Sequence, residues 1–245
     1  MLTAPATVQS ALRRLAALGN LLLPGYCPLC EALLRSGEWL CSACREQLST
    51  AAPSACSRCA EPYHSPDADH LCQRCRAAEP PFIWLRAAGL YNDSAATAVA
   101  AFKYRGKISL DRALAQLIIT RHAPRIREFA PQLIIPVPLH PRRLRRRGYN
   151  QALLLARQLG RQLDIPVDHT SLIRTSDTTT QLHLSAQQRL NNLRHAFALS
   201  RPLAADRVLL VDDVATTTAT LRACCQPLHS NGTTCAAVVI ARASI

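Results

Sequence analysis

Lysine is almost missing from this chain of 245 residues: of its 29 basic side chains only Lys103 and Lys107 are lysines, leaving 27 arginines. Glycine is scarce at 8 residues and aromatics make up 4%, which argues against a glycine-rich β-repeat and against a sheet-borne aromatic platform such as an RRM. No apolar run reaches the ~18–20 residues that a helix needs to cross a bilayer, so no membrane span is expected. Hydrophobic residues nonetheless account for 49% and charged residues for 18%, enough to bury a core and too apolar for wholesale disorder. The length fits one large domain, or a medium domain with a small module.

The net charge of +13 is thus carried by planar guanidinium forks, which suit phosphate and raise the expectation of a polyanionic partner. Composition alone does not separate nucleic acid from a small phosphorylated ligand.

Eight of the 11 cysteines form four CxxC pairs: Cys27/Cys30, Cys41/Cys44, Cys56/Cys59 and Cys72/Cys75. Cys224, Cys225 and Cys235 stand apart. A CxxC turn places two thiolates on one knuckle, and two knuckles complete a tetrahedral zinc site. The near-duplicate spacings at 27–44 and 56–75 point to two consecutive zinc ribbons of four cysteines each, with cross-braced pairing left open by spacing alone. All-cysteine ligation closes the coordination sphere, so the metal is expected to be structural. Disulfides or redox CxxC motifs are the alternative, but no thioredoxin-like βαβ pattern surrounds the pairs, and metal binding implies a reducing, cytoplasmic setting. His64 and His70 fall in the second half and are read as surface residues rather than ligands.

Ahead of the cysteines, Arg13-Arg14 and the apolar stretch behind them could be read as a short secretory signal. Gly19-Asn20 interrupts that stretch and no A-x-A site precedes Cys27. Leu12, Leu15, Leu18 and Leu22 instead suggest an amphipathic helix over 1–26 that packs on its own protein.

The prolines of Glu79-Pro80-Pro81 mark a break in composition. Past them, apolar strand candidates at 83–91, 133–137, 208–211 and 235–240, with a weaker one at 167–173, alternate with helical stretches at 94–104, 110–122, 150–163, 186–194 and 220–229. Continuous apolar strands between helices argue for a parallel sheet covered on both faces. The expected organisation is an N-terminal helix (1–26), a double zinc ribbon (27–79) and an α/β domain (82–245).

The most informative segment of that domain begins at Val208. Four apolar residues make a buried strand; Asp212 and Asp213 stand at its carboxyl end, where ligands bind in open α/β sheets. Thr216, Thr217, Thr218 and Thr220 then open a helix whose unpaired N–H groups suit a phosphate monoester. Carboxylates beside a phosphate are repelled by it unless they serve another group, and the hydroxyls of a ribose are the natural candidate. The alternatives are an acid pair that caps the next helix, or one that binds metal in another kind of α/β enzyme.

This segment resembles the phosphoribosyl-pyrophosphate (PRPP) signature of type I phosphoribosyltransferases. The resemblance implies a type I phosphoribosyltransferase-like parallel sheet, with Asp212 and Asp213, the candidate catalytic residues, on the ribose 2′ and 3′ hydroxyls. It places the loop of Ala215, Thr216, Thr217, Thr218, Ala219 and Thr220 around the 5′-phosphate. One departure matters: the family usually has glycine where this chain has Thr218, and a β-branched residue takes a positive φ only at a cost.

Two further stretches extend the match. Val137, Pro138 and Leu139, in the PVPLH run after an apolar strand, resemble the family loop that turns amides toward pyrophosphate, a task in which Lys103 or Arg105 could join unless they are ordinary helix-end cations. Arg142, Arg143, Arg145, Arg146 and Arg147 follow, and so many like charges must be solvated, as in a basic loop, or face an anion.

The combination of PVPL, RRGYNQ, then Gln181, Arg189, Asn192, Ala196 and Phe197, with the CxxC knuckles and the FKYRG run at 102–106, resembles the competence-protein-F (ComF) family, which includes proteins labelled GntX. That resemblance implies PRPP binding with Mg²⁺, the metal held mostly by substrate oxygens and water, and a hood around 180–189. It also implies a role in uptake or utilisation of external DNA, with single-stranded DNA and a DNA-uptake helicase-type protein as partners. Three readings compete: a phosphoribosyltransferase of unknown acceptor, a DNA-handling protein that only binds PRPP, and a zinc-stabilised adaptor with a degenerate ligand site.

Overall fold

The computed structural model describes residues 25–63, 70–176 and 196–244. The expected N-terminal helix up to residue 24, the helix at 186–194, the hood at 180–189, and His64, Gln181, Arg189 and Asn192 lie outside them. The chain forms two compact units, Met1–Glu46 and Gln47–Ile245.

The smaller unit holds the first two CxxC pairs. An antiparallel bridge joins Tyr26 to Leu33, and the turn between them closes through Glu31 N–H on the Cys27 carbonyl (2.8 Å), with Glu31 in the left-handed region at φ 63°. The second pair sits at the start of helix α1 (Ser42–Leu48).

The larger unit repeats this design. Strands β1 (Ser54–Ala55) and β2 (Pro62–Tyr63) form a hairpin; Ala60 N–H closes the knuckle on the Cys56 carbonyl at 2.9 Å, and Ala60, like Glu31 four residues after the first cysteine, has positive φ. Cys72 is the N-cap of helix α2 (Gln73–Ala77).

Beyond the cysteines a four-stranded sheet runs in the order β3 (Leu85–Leu90), β8 (Thr234–Arg242), β7 (Arg207–Ala215), β4 (Leu133–Pro136), all parallel. Val167 extends it by a parallel bridge to Ile134, while β5 (Leu172–Arg174) and β6 (Phe197–Leu199) form a separate antiparallel pair, so the weak strand expected at 167–173 divides between two partners. The central strands are buried along nearly their whole length, as continuous apolar runs require of a sheet covered on both sides.

Alternation of side chains assigns the two faces. Val208, Leu210, Cys235, Ala237 and Val239 share a core with Leu221, Cys225 and Leu228 of helix α7 (Ala219–Ser230), and with Cys56, Cys59 and Cys75. The second cysteine group is therefore part of the sheet's own core. On the chain's other helical layer, α4 (Leu110–Phe129) packs against α6 (Gln151–Leu163) and both contact the sheet. Helix α3 (Asp93–Tyr104) precedes α4, capped by the Asn92 side chain on Ala95 N–H at 2.8 Å.

Two elements depart from expectation. Helix α4 continues past His122 through Pro124 to Phe129; the proline removes one N–H, while Ile126 and Phe129 are buried beyond it. The arginine run is a helix, α5 (Pro141–Arg147), rather than a loop: His140 caps it, proline occupies its first turn, and Gly148 ends it at φ 83°, the asymmetry helices favour.

Gly89 of β3 is fixed by proximity. Leu90 N–H donates to Thr50 at 2.8 Å, and a Cβ on Gly89 would stand 2.0 Å from the Leu48 carbonyl oxygen. Gly89→Ala is expected to lower stability by about 1–3 kcal/mol, read as a lower denaturation midpoint in urea; an unchanged midpoint would show that the 47–50 segment can move aside.

Candidate ligand site and cysteine centres

In each cysteine group the four Sγ atoms lie within 4.8 Å of one another, and the grouping is consecutive: Cys27, Cys30, Cys41 and Cys44, then Cys56, Cys59, Cys72 and Cys75. This decides between the two pairings left open by spacing. The donor set fits zinc, because four thiolates so close repel one another until a dication is placed among them. Their acidities show the same conflict. Burial raises the Cys27 thiol, but backbone amides of Cys41, Cys30 and Leu29 bring it down to about 6; Cys56, likewise raised by burial, is lowered to about 7 by the amides of Cys72, Cys59 and Arg58. Burial and neighbouring thiols push Cys59 up to about 11 and Cys44 and Cys75 higher still. His70 stays outside the group, its ring 4.5 Å from that of Tyr63. Cys224, Cys225 and Cys235 are buried in the core.

The acid pair lies at the carboxyl end of β7. Its neighbour β4 leads into the PVPL turn, and Val137 N–H donates to Val211 at 2.9 Å, so the two motifs meet across adjacent parallel strands. From β4 the chain passes through α5 to α6, and from β7 to α7 on the opposite face. Such a divergence opens the crevice in which α/β sheets bind ligands.

Lys103, near the end of α3, reaches Asp213 at 2.8 Å, whereas Arg105 is exposed at the helix C-cap. Tyr149 donates to the Phe102 carbonyl and Asn150 to that of Val137 at 3.0 Å, tying α3, the PVPL turn and α6 together. These bonds limit what the turn can offer. The Val137 amide is committed to β7 and Pro138 has none, so of the three residues expected to face pyrophosphate, Leu139 keeps the N–H that a ligand could meet.

Asp212 accepts from Asp213 N–H at 2.9 Å. Burial of its carboxyl, reinforced by the Asp213 carboxylate, pushes its pKa up to about 7 against the opposing pull of that amide, Lys103 and Arg174. Arg174 on β5 was not singled out from sequence; an isolated arginine among 27 gives no signal. The acid pair does not cap α7. That position belongs to Thr218, which makes no side-chain cap bond and has φ 62°. The residue standing where the family usually has glycine thus adopts the glycine-like backbone, at a cost of roughly 1–2 kcal/mol. Thr216 and Thr217 are exposed, while Thr218 is buried and its hydroxyl accepts from Arg222 Nε at 3.3 Å.

The chain is 36% identical to DNA utilization protein YhgH of Escherichia coli over 218 residues, covering 86% of this chain and 94% of that protein. It is 39% identical to competence protein F of Haemophilus influenzae over 190 residues, covering 74% and 80% respectively. The chain belongs to the competence protein F family. Competence protein ComFC of Bacillus subtilis is a more distant relative, 26% identical over 82% of both chains. Residues 18–76 match the double zinc ribbon domain, so the two cysteine groups are the structural zinc sites of that domain. Purine phosphoribosyltransferase from Pyrococcus horikoshii gives a loose superposition, with TM-score 0.31 and 20% identity over 51% of this chain and 69% of the other. Among the described residues no helix is long and apolar enough to cross a membrane.

The raised pKa of Asp212 has a sign that can be measured. Between the ordinary carboxylate range and about 7, the unfolded chain gives up this proton and the folded chain keeps it, so stability falls as pH rises through that window. Asp212→Asn removes this pH dependence. The variant is expected to gain on the parent steadily from pH 5 to 7.5, reaching a few kcal/mol, in paired urea titrations with zinc present; a constant offset would show that Asp212 ionises normally.

Proposed function

We propose that this protein binds PRPP with Mg²⁺ at the carboxyl ends of β4 and β7 and acts in the cytoplasm in the uptake or utilisation of external DNA. The observation that carries the reading is that the acid pair, the Thr218 turn and the PVPL turn all follow the carboxyl ends of two adjacent parallel strands. Asp212 and Asp213 would accept from the two ribose hydroxyls. The loop of Ala215, Thr216, Thr217, Thr218, Ala219 and Thr220 would surround the 5′-phosphate, helped by the N-terminus of the twelve-residue α7. Leu139 N–H would meet the pyrophosphate, and Lys103 would turn to it from Asp213; Arg105 is less favourably placed. Mg²⁺ would neutralise the pyrophosphate, held chiefly by its oxygens and water. The names of the relatives support the role in DNA handling.

Calorimetric titration with Mg²⁺–PRPP tests this. The parent is expected to bind and Asp212→Asn with Asp213→Asn to lose binding while keeping its fold by circular dichroism. Undiminished binding by the double variant would remove the acid pair from the site. Released pyrophosphate, followed with and without candidate acceptors, separates a transferase from a protein that only binds PRPP.

A second reading places single-stranded DNA, with a helicase-type partner, on α5, which buries none of its residues. At its end Arg147 lies 5.1 Å over the ring of Tyr104, which is 71% exposed, a cation-backed aromatic on which a base can stack. Replacing Arg145 and Arg146 by Gln is expected to lower the salt slope of single-stranded DNA affinity by about 1.4, since each phosphate no longer neutralised removes roughly 0.7. A slope that does not change would take DNA off this helix.

A further inference from the structure

Arg242 ends β8 and is only 2% exposed, yet among the described residues it makes no bond to the acid pair or to any other side chain of the proposed ligand crevice. Its guanidinium instead joins two parts of the larger unit. Nη1 donates to the carbonyls of Ala215 (3.2 Å), Thr216 and Ala243. Nε donates to the carbonyl of Cys59 at 3.0 Å, and Nη2 pairs with the Glu61 carboxylate. Glu61 is also held by Arg74 at 3.0 Å, and its backbone carbonyl closes the knuckle by accepting from Cys56 N–H at 2.8 Å. One buried cation therefore grips both the start of the loop after β7 and the hairpin that carries half of the second cysteine group.

The consequence follows from peptide geometry. In a trans peptide the C=O of one residue and the N–H of the next point in opposite directions, and the chain has no cis bonds among the described residues. With the carbonyls of Ala215 and Thr216 turned onto Arg242, the amides of Thr216 and Thr217 are turned away from it. A positive charge is also fixed behind the loop, where it favours an anion in front.

We propose that Arg242 is a positioning residue, which orients the Thr216 and Thr217 amides and makes their order depend on the second cysteine group being metal-bound. That these amides face a phosphate rests on the PRPP reading; the coupling itself does not.

Backbone ¹⁵N relaxation on zinc-loaded protein, without any ligand, tests the coupling. In the parent Thr216 and Thr217 are expected to have order parameters near 0.85, falling below about 0.6 in Arg242→Lys. Cys72→Ser, in the second group, should loosen them equally, whereas Cys41→Ser, in the first, should leave them unchanged. Glu61→Gln provides a milder break in the same chain should Arg242→Lys fail to fold. Rigid Thr216 and Thr217 in a folded Arg242→Lys or Glu61→Gln protein would overturn the proposal, as would equal loosening by Cys41→Ser. Mg²⁺–PRPP titration of the same samples is the separate arm: a parent that does not bind defeats the ligand reading and leaves the relaxation result standing, while a loosened loop in a binding-competent protein should weaken affinity at least tenfold.

Discussion

A parallel strand buried on both faces has polar outlets only at its ends, and β7 concentrates the chemistry of this protein at one of them. Its apolar run from Val208 to Val211 is sealed by α7 and the second cysteine group on one side and by the α6 layer on the other. Asp212 is the first residue that can carry a charge, and burial still holds its proton back. The same register that pairs β7 with β4 also consumes the Val137 amide. One set of backbone bonds thus brings two motifs together and selects which of their groups remain available.

The turn after β7 shows what that placement costs. Thr218 is held at a positive φ between a buried strand and a twelve-residue helix, and neither end has freedom to relax. Strain of this kind persists where the surroundings over-determine the backbone, and it clusters at sites that bind ligands. Arg242 supplies part of the over-determination from behind, and its own burial is tolerated because every hydrogen bond it makes is to a carbonyl or to Glu61.

The sheet was legible in sequence because its strands are continuous apolar runs, and the cysteine quartets because ligand spacing reflects zinc geometry. Other features were hidden for physical reasons. Helix α5 has Leu144 as its single long apolar side chain, so no periodicity distinguishes it from a solvated loop; its caps, His140 and Gly148, are visible only once the helix is seen. Lys103 and Arg105 look equivalent as basic residues beside a site, but two positions on a helix are about 200° apart at 3.6 residues per turn, and only Lys103 turns toward Asp213. The consecutive pairing of the cysteines was suggested by the duplicated spacing, and it took the positions of the sulfurs to set the cross-braced alternative aside.

Arg242 is the hardest case, since an arginine closing an apolar strand reads as an ordinary solvent-facing end. Its role emerges because the second ribbon packs on the sheet face that β8 helps to build, so the end of β8 is roofed over instead of meeting water. A guanidinium there must find acceptors within the protein, and the nearest are loop carbonyls on one side and the hairpin of the cysteine group on the other. The duplication of the ribbons therefore does not make them equivalent. Their knuckles are built alike, but the second contributes cysteines to the sheet's core and shares a buried cation with the turn that follows Asp213.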